Sequence, residues 1–243
     1  MSLVIDKALN LLNLVAAGND TLNSLVRESG LSRSTTHRLL SSLVEHGYLS
    51  YDAKRYDLGY RLLELGEQKK RSLKFLDSLQ PTLRRYADLT KDTIHVAILA
   101  NTDIVLVERI AGQRELQIRS FVGQRAPAFM TAVGKSLIGR QPPDTWSNYL
   151  RNIPKGYPKR AADIRADFET ARKRNFATDI DECSVGTCGI ASTFRLSDDL
   201  YAAVSINGAT VYFPSDRMNE LKKLVTQLAR ELESILLQNS KAA

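Results

Sequence analysis

Apolar residues at the start of the chain recur three or four positions apart, as on one face of a helix. In the first such stretch they are Ile5, Leu9, Leu12 and Val15. This pattern predicts a helix over residues 4–16 that stops at Gly18. A second, shorter helix is predicted from Leu22 to Ser29, because Gly30 tolerates the left-handed backbone that ends a helix.

A third helix is predicted to begin after Ser32, because a serine hydroxyl at the N-cap accepts a hydrogen bond from the first turn. Its buried side is marked by Leu39, Leu40, Leu43 and Val44. Extending that side backward at about 3.6 residues per turn places Thr36 inward. Two short helices joined by a tight glycine turn form a helix-turn-helix.

The outer face of the third helix carries groups that can reach DNA. The N-terminal part of this helix enters the major groove, where arginine reads guanine and hydroxyls contact bases or phosphates. A polar face is merely solvated in most helices, but here the only acidic member, Glu45, stands near the far end. We therefore assign DNA binding to Ser32, Arg33, Ser34, Thr35, His37, Arg38 and Ser41.

The stretch YLSYDAKRYDLG alternates apolar and polar residues around a turn from Asp52 to Arg55, which predicts a hairpin. Lys54 and Arg55 at its tip are expected beside a duplex backbone, where they position the protein without reading sequence. Three helices followed by a basic-tipped hairpin predict a winged helix-turn-helix over residues 1–59. Residues 60–71 are predicted to form a linker helix.

Residues 72–243 are predicted to form a second, α+β domain. Its helical pattern begins at Leu73, and Pro81 implies a boundary or a kink. From Thr93, strands are predicted at TIHVAILA, DIVLVERI, LQIRSFV, ATDID, GIASTFRL and YAAVSIN. Further helices are predicted over 132–139, 161–174 and 216–237. Such a domain usually holds a small molecule, makes a subunit contact, or does both.

Composition narrows the class of protein. The chain has 243 residues, of which 43% are hydrophobic, enough to fill the cores of one large or two ordinary domains. Its apolar runs are shorter than the roughly 18 to 20 residues that span a bilayer, and its start lacks a signal pattern. We therefore expect a cytoplasmic protein with no membrane partner.

The net charge of +7 favours an anionic partner, because basic side chains that neutralise phosphates release counterions. The cysteines and histidines do not favour a metal. Cys183 and Cys188 stand five apart, and His37, His46 and His95 have no metal-ligand spacing to them. We expect no metal and no cofactor.

The stretch MTAVGKS, residues 130–136, ends in the triplet that closes a nucleotide-binding P-loop. A P-loop needs a second glycine five positions before the glycine of that triplet, because its backbone wraps the phosphates. Here that position is Phe129. The triplet alone is therefore a weak signal for phosphate binding.

The ordered set SGLSRSTTHRLLSSLVEHGYL, YDLGYRLLELG, VGQRAPAFMTAVGKSLIG and ATDIDECSVGTCGIA resembles the IclR family of bacterial transcription regulators along nearly the whole chain. The resemblance implies a GAF-like effector domain behind the DNA reader, a homodimer or dimer of dimers, and an operator of inverted half-sites. Small organic acids, sugar acids or aromatic catabolites are the effectors that it implies. We therefore expect a ligand-responsive regulator, a repressor, of a catabolic operon.

In this family the segment that matches MTAVGK lines the effector cavity and opens a helix, whose free N–H groups can hold a carboxylate. A carboxylate is therefore a better guest here than a nucleotide. Lys135 could supply its counter-charge, but an exposed lysine is the more ordinary expectation. By resemblance, the effector-binding residues are Ile118, Ala132, Val133, Asp179, Ser205 and Asn207.

The chain departs from the family pattern at one point, in the motif ATDIDECSVGTCGIA. The family runs Gly, two variable residues, Cys, Ile, Ala, whereas here Cys188 stands one place early and Gly189 follows it. A one-residue shift turns a strand side chain to the other face. Either a bulge returns Cys188 to the cavity or Gly189 takes the position and leaves room for a larger effector, so both are candidate effector-binding residues.

Two other hypotheses remain. The chain could be an enzyme with Cys188 as nucleophile and His95 as base, because such a pair can run acyl transfer. No flanking motif supports that pair, so we expect no catalytic residues and no enzyme. The chain could also be an architectural DNA-binding protein whose second domain is inert.

Overall fold

The computed structural model describes residues 3–151 and 153–242 and divides the chain into two compact units. The first unit ends at Lys74 and the second begins at Phe75. The predicted linker segment, residues 60–71, therefore groups with the first unit by its contacts. Its role as a linker stays a prediction, as do the functional boundaries at residues 59 and 71.

The first unit contains the three predicted helices, a hairpin and a fourth helix. They are α1 (Leu3–Ala16), α2 (Leu22–Ser29), α3 (Arg33–Glu45), β1 (Leu49–Asp52), β2 (Arg55–Leu58) and α4 (Tyr60–Ser72). Gly30 ends α2 at a φ of 66°, and the Ser32 hydroxyl accepts from the Thr35 amide at 3.3 Å. The predicted helices and both of these caps are confirmed.

One face of the hairpin packs against the helices. Leu49 and Tyr56 are buried together with Leu11, Leu25 and Leu40 from the three helices. The turn between the strands consists of Ala53 and Lys54, with φ values of 45° and 64°. Two left-handed residues make the tight turn whose twist matches that of the paired strands. The predicted wing is therefore present.

The second unit mixes helices with a sheet. Its regular elements are α5 (Phe75–Thr90), β3 (Thr93–Ala100), β4 (Asp103–Ile110), β5 (Arg125–Pro127), α6 (Ala132–Arg140), α7 (Ala161–Arg174), β6 (Ala177–Ile180), β7 (Thr187–Ser197), β8 (Leu200–Ala209) and α8 (Ser215–Ala242). Short 3-10 turns cover Ala128–Met130, Pro143–Leu150 and Thr210–Tyr212.

The six strands form one antiparallel sheet in the order β5-β4-β3-β8-β7-β6. Helices cover both of its faces. On β7, Cys188 contacts Met218 of α8, whereas a Cβ built on Gly189 would lie 3.6 Å from Ala132 of α6. Since neighbouring strand residues point to opposite faces, α6 and α8 lie on opposite sides of the sheet. This arrangement confirms the α+β prediction.

The predicted strand LQIRSFV, residues 116–122, is wrong. The segment has no ladder partner in the structure, and Leu116, Phe121 and Val122 are each about half or more exposed. The edge of β4 is instead paired by the three residues of β5. Alternation of apolar residues alone therefore did not make a strand here.

Three smaller expectations also need correction. Leu73 ends α4 instead of continuing a helix into the second unit. Pro81 marks no helix boundary, because α5 runs through it, and the alternative of a kink stays a prediction. The final helix extends beyond the predicted residues 216–237 at both ends. No helix in the part of the chain that the structure describes is both long and apolar enough to cross a membrane.

Candidate DNA-reading surface and effector cavity

The outer face of α3 is open to solvent. Arg33, Ser34, His37, Arg38 and Ser41 are exposed, whereas the inward Thr36 is fully buried. Thr35 is half-buried and Ser32 is committed to capping the helix. The predicted surface is therefore formed by the first two and a half turns of α3, with two guanidinium groups near its N-terminal end.

The tip of the hairpin adds two exposed basic residues to the predicted DNA-binding surface. Lys54 and Arg55 are exposed at the tip, and Arg55 pairs with Asp20. The Asp20 carboxylate thus neutralises part of the charge that we predicted for the tip. Lys54 is the hairpin cation that forms no ion pair among the described residues.

A groove separates α3 from the hairpin, and the sequence reasoning missed one of its walls. It is lined by Leu22, Arg33, Ser34, His37, Tyr51 and Tyr56. The Tyr51 ring is stacked at a tilt on Tyr56, with ring centroids 4.6 Å apart, and Tyr51 is 53% exposed. The period-two alternation of the hairpin could have identified Tyr51, because it places Tyr51 on the same face as Leu49 and opposite its strand partner Tyr56 in the ladder.

The second unit contains a cavity of about 490 Å³ between the sheet, the start of α6 and the irregular segment 111–124. Every residue that the resemblance assigned to the effector lines it: Ile118, Ala132, Val133, Asp179, Cys188, Gly189, Ser205 and Asn207. The cavity is of the size that holds small ligands. Residues that the sequence reasoning did not assign to it include His95, Gln117, Arg119 and Ser120.

The start of α6 lines this cavity through Thr131, Ala132 and Val133. The Thr131 hydroxyl caps the helix by accepting from the Gly134 amide at 3.0 Å. The earlier amides of Ala132 and Val133 have no acceptor within the helix, because the first turn of any helix leaves its N–H groups free. A negatively charged group is stabilised at such an end.

The strand register excludes the bulge that would have turned the Cys188 side chain. β7 pairs with β6 and β8 without a bulge over this stretch, with Gly189 opposite both Asp179 and Asn207. The Cys188 sulfur therefore points toward Met218, although both Cys188 and Gly189 are among the residues that line the cavity. Their contact with an effector stays a prediction.

Asp179 lies on β6 and lines the cavity. Its Oδ1 accepts hydrogen bonds from the Glu182 and Cys183 amides at 3.2 and 3.3 Å. Burial raises the pKa of its carboxyl to about 6, although the positive charge of Lys135 acts in the other direction. Burial therefore favours the neutral carboxyl of Asp179 more than it would be favoured at an exposed position.

The expectation that Lys135 is exposed is wrong. Its side chain is fully buried, and its Nζ lies 2.6 Å from Glu182 Oε1 and 3.0 Å from Asp167 Oδ2. Lys159 joins the same carboxylates, and Tyr157 donates to Glu182 at 2.8 Å. Nor does Lys135 line the cavity, so it is no counter-charge for a guest. The cluster ties α6 to α7 and to the turn after β6, which carries Glu182.

The Gly-Lys-Ser triplet has structural roles. A Cβ on Gly134 would overlap the backbone of Ala128, so α6 can approach the preceding 3-10 turn only at a glycine. Lys135 enters the buried ion cluster, and the Ser136 hydroxyl donates to the carbonyl of Ala191 at 3.1 Å. No phosphate is needed to explain any of the three residues.

Comparison with protein families decides the class. Residues 69–234 match the model of the bacterial transcriptional regulator IclR C-terminal domain, and residues 4–53 match the IclR helix-turn-helix domain. The chain belongs to the IclR family. It is therefore a transcription regulator with a helix-turn-helix domain for DNA and a C-terminal effector domain.

Relatives of this IclR-family chain extend over most of its length. It is 28% identical to the regulator BhcR of Paracoccus denitrificans over 94% of this chain and 85% of that one. It is 24% identical to the transcriptional repressor IclR of Escherichia coli, over 93% and 87%. Its fold matches an IclR homolog of Microbacterium hydrocarbonoxydans complexed with 4-hydroxybenzoate, with a TM-score of 0.79, 18% identity and 97% and 99% coverage.

The enzyme hypothesis does not survive, because the IclR family consists of transcription regulators. The geometry gives the physical reason. Burial raises the pKa of the Cys188 thiol to about 12, and its sulfur faces α8. His95 lines the cavity on the other face of the sheet, so the two groups cannot exchange a proton.

Proposed function

We propose that this protein is a repressor that releases an operator when a small carboxylic acid occupies the cavity of its second unit. The observation that carries the proposal is the pairing of two surfaces in one chain. One is the exposed, arginine-bearing face of α3, and the other is a cavity lined by Ala132 and Val133 at the start of α6.

DNA recognition is proposed to divide between α3 and the hairpin. Arg33 and Arg38 lie on a face that can enter the major groove and hydrogen-bond to guanine. Ser34, His37 and Ser41 on the same face would contact bases or phosphates. Lys54 would contact the backbone of the adjacent duplex, which adds affinity for any sequence.

The acid is proposed to place its carboxylate at the start of α6. Apolar side chains around the cavity, among them Ile104, Leu106 and Ile118, would enclose its carbon skeleton. Small pockets of this kind are mostly apolar with a few convergent polar groups. A homolog of the same fold is complexed with 4-hydroxybenzoate, which supports an aromatic or similar organic acid as the class of effector.

The regulator is proposed to act in the cytoplasm as a homodimer or a dimer of dimers on inverted half-sites of a catabolic operon. A two-fold symmetric protein matches a two-fold symmetric operator, with half-sites one or more helical turns apart. Sedimentation of the free protein and of its DNA complex would measure both states. A monomer bound to a single half-site would contradict this part of the proposal.

Fluorescence anisotropy tests the main proposal directly. Labelled duplexes from the DNA upstream of the protein's own gene are titrated with the protein, with and without 4-hydroxybenzoate and a panel of small acids. We expect salt-dependent binding that at least one acid weakens about 5- to 150-fold, the usual range of coupling between sites. Binding that no acid changes would instead indicate an architectural DNA-binding protein with an inert second domain.

A further inference from the structure

His95 lines the cavity but is not among the residues predicted to bind the effector. It lies on β3, is 7% exposed and lines the cavity. Its Nε2 is 2.8 Å from the Ser120 hydroxyl, and the same hydroxyl is 2.9 Å from Arg109 Nε. A guanidinium, a hydroxyl and an imidazole therefore form one hydrogen-bonded chain that ends at the cavity.

The available partners favour one direction for each bond in this chain. An arginine guanidinium only donates, so the Ser120 oxygen accepts from Arg109. Among the described residues His95 Nε2 is the one acceptor that the Ser120 proton can reach, so the arrangement that uses this proton has Nε2 as its acceptor. A neutral imidazole that accepts at Nε2 carries its proton on Nδ1.

The charge state of His95 agrees with this assignment. Burial, with a further contribution from the positive charge of Arg109, lowers the pKa of the imidazole to about 4. The ring is therefore neutral near neutral pH. One N–H remains on the ring, and the hydrogen-bonded chain places it on Nδ1.

The Nδ1 atom opens onto the cavity. Among the residues that the structure describes, the one fully enclosed side-chain nitrogen or oxygen without a hydrogen-bond partner is Gln80 Oε1. His95 Nδ1 has no protein partner within the described residues, and it is not enclosed in that sense. Because the residue is more than nine-tenths buried and lines the cavity, the open space next to Nδ1 is the cavity itself.

A second donor lies beside it. Ser205 stands opposite His95 in the pairing of β3 with β8, and its hydroxyl accepts from Asn207 Nδ2 at 2.7 Å. The Ser205 proton is thereby left free, so two donors converge on one part of the cavity. Neither donor is one of the amides of Ala132 and Val133 at the start of α6.

We propose that His95 contacts the effector and donates a hydrogen bond from Nδ1 to a second oxygen of the bound acid, with Arg109 and Ser120 as the residues that position it. The inference rests on the proposed effector function and narrows it to acids that carry a hydroxyl or keto oxygen besides the carboxylate. The matching acid without that oxygen leaves the His95 and Ser205 donors unpaired and binds more weakly.

The tautomer is tested without any ligand. The chain has three histidines, so nitrogen-15 spectra of the full-length protein labelled in histidine can be assigned with His46→Gln and His95→Asn. We expect His95 to be neutral at pH 7, protonated on Nδ1, and to lose this single tautomer in Ser120→Ala. A charged ring, or a proton on Nε2, would overturn the assignment of the donor and leave the effector proposal untouched.

The contact with the ligand is tested by two matched pairs of acids, 4-hydroxybenzoate with benzoate and lactate with propionate. For a pair that binds, wild type should prefer the acid with the additional oxygen by about 3- to 10-fold, the usual effect of one hydrogen bond. His95→Phe should bring that preference close to one, with the emission of Trp146 confirming a folded second unit.

His95→Asn supplies the rescue that a merely structural role would not show, because its amide nitrogen can occupy the place of Nδ1. We expect it to retain most of the preference, and the exposed His46→Gln to retain all of it. An unchanged preference in His95→Phe would overturn the inference. Failure of every acid to bind wild type would overturn the effector proposal and this inference together.

Discussion

Gly134 belongs to a triplet that looks like the end of a P-loop, but the structure explains this glycine by packing. Its position in MTAVGKS indicated a phosphate loop, but the structure uses it to bring α6 against the backbone of Ala128. No local pattern in the sequence distinguishes these two uses, because both need a residue without a Cβ. Only the missing second glycine at Phe129 argued against the nucleotide.

Gly134→Ala should therefore destabilise the second unit strongly. The new methyl group would overlap backbone atoms, which cannot rotate away, so we expect a loss of about 3 kcal/mol or more. Urea unfolding followed by the emission of the single tryptophan, Trp146, measures this unit. Gly66→Ala is the matched control, because nothing lies near a Cβ there and alanine favours a helix by about 0.5–1 kcal/mol. A stable Gly134→Ala protein would contradict the packing argument.

Two residues of the cavity make opposite contributions to stability as the pH changes. The pKa of His95 falls from 6.5 to about 4 on folding, so its contribution is complete above pH 6.5 and is lost as the pH falls to 4. The pKa of Asp179 rises from 3.8 to about 6, so its contribution is complete below pH 3.8 and is lost as the pH rises through 6. Between pH 4 and 6 the two effects largely cancel.

In Asp179→Asn, the pH dependence that His95 contributes to the free energy of unfolding should become measurable. The amide oxygen can still accept from the Glu182 and Cys183 amides, but the opposing titration disappears. Between pH 6.5 and 4 the free energy of unfolding should then fall by about 3 kcal/mol more than in wild type. Urea unfolding at several pH values measures the difference, and the exposed Asp198→Asn should leave the profile unchanged. A profile of Asp179→Asn parallel to wild type would contradict the opposing titrations.

At the scale of elements, the prediction succeeded where the signal is local. The caps at Gly30 and Ser32, the stripe of α3 and the turn at Ala53–Lys54 all act within a few residues, so the sequence is enough to place them. The eight residues taken from the family resemblance likewise all line the cavity, although their contact with an effector stays a prediction.

The segment 116–122 failed because its conformation is set by distant groups. Its apolar residues alternate, but Arg109 and His95 bind Ser120, and the Tyr212 hydroxyl accepts from the Leu116 amide at 3.4 Å. These contacts hold the segment over the cavity instead of in a ladder. Lys135 failed for a related reason, because its partners Asp167 and Glu182 lie 32 and 47 positions away in the chain.

The buried ion cluster predicts a graded loss of stability. Lys135→Met leaves the buried Glu182 with Lys159 as its one cationic partner among the described residues, so we expect the second unit to lose about 3–5 kcal/mol, as when a buried pair is broken from one side. Lys159→Met should cost clearly less, because its side chain is 32% exposed and Lys135 remains. Urea unfolding followed by Trp146 emission compares the two variants. Equal losses would show that Lys135 is not the centre of the cluster.

The recognition helix and the hairpin should differ in what they contribute to DNA binding. Arg38→Ala should weaken operator binding by about 1–3 kcal/mol and have little effect on random DNA, if the arginine reads a base. Lys54→Asn should weaken both equally and reduce the salt slope by about one, because it removes a phosphate contact. Asparagine is chosen because Lys54 has a φ of 64°, which asparagine tolerates.

Anisotropy titrations on operator and random duplexes over a range of salt concentrations separate these effects. Lys91→Asn is the matched control for Lys54→Asn, because Lys91 is also exposed and has a similar φ of 62°, but lies in the second unit. We expect its DNA affinity to equal that of wild type. If Arg38→Ala lost the same factor on both duplexes, the assignment of Arg38 to base reading would be wrong.

At the scale of the whole molecule, regulation requires that occupation of the cavity changes the free energy of DNA binding. An acid that binds both states of the protein equally would shift nothing, however tightly it bound. The coupling is also reciprocal, so operator DNA must weaken the binding of the acid by the factor by which the acid weakens DNA binding. The cavity and the DNA-reading surface can therefore be tested separately and then together.

The substitution Gly189→Val tests whether the cavity is responsible for the response to the acid without affecting DNA binding itself. A side chain at Gly189 would meet Asn207, whose Oδ1 lies 2.7 Å from the Cβ position, so the Asn207 side chain would have to move and the cavity wall would change. We expect the acid to lose its effect on operator binding, while the affinity without acid stays within about twofold of wild type because α3 is untouched. Ser197→Ala, on the same strand but outside the cavity, should respond to the acid as wild type does. If Gly189→Val still released the operator at the same acid concentration, the cavity would not be the sensor, and the effector would have to bind elsewhere on the chain.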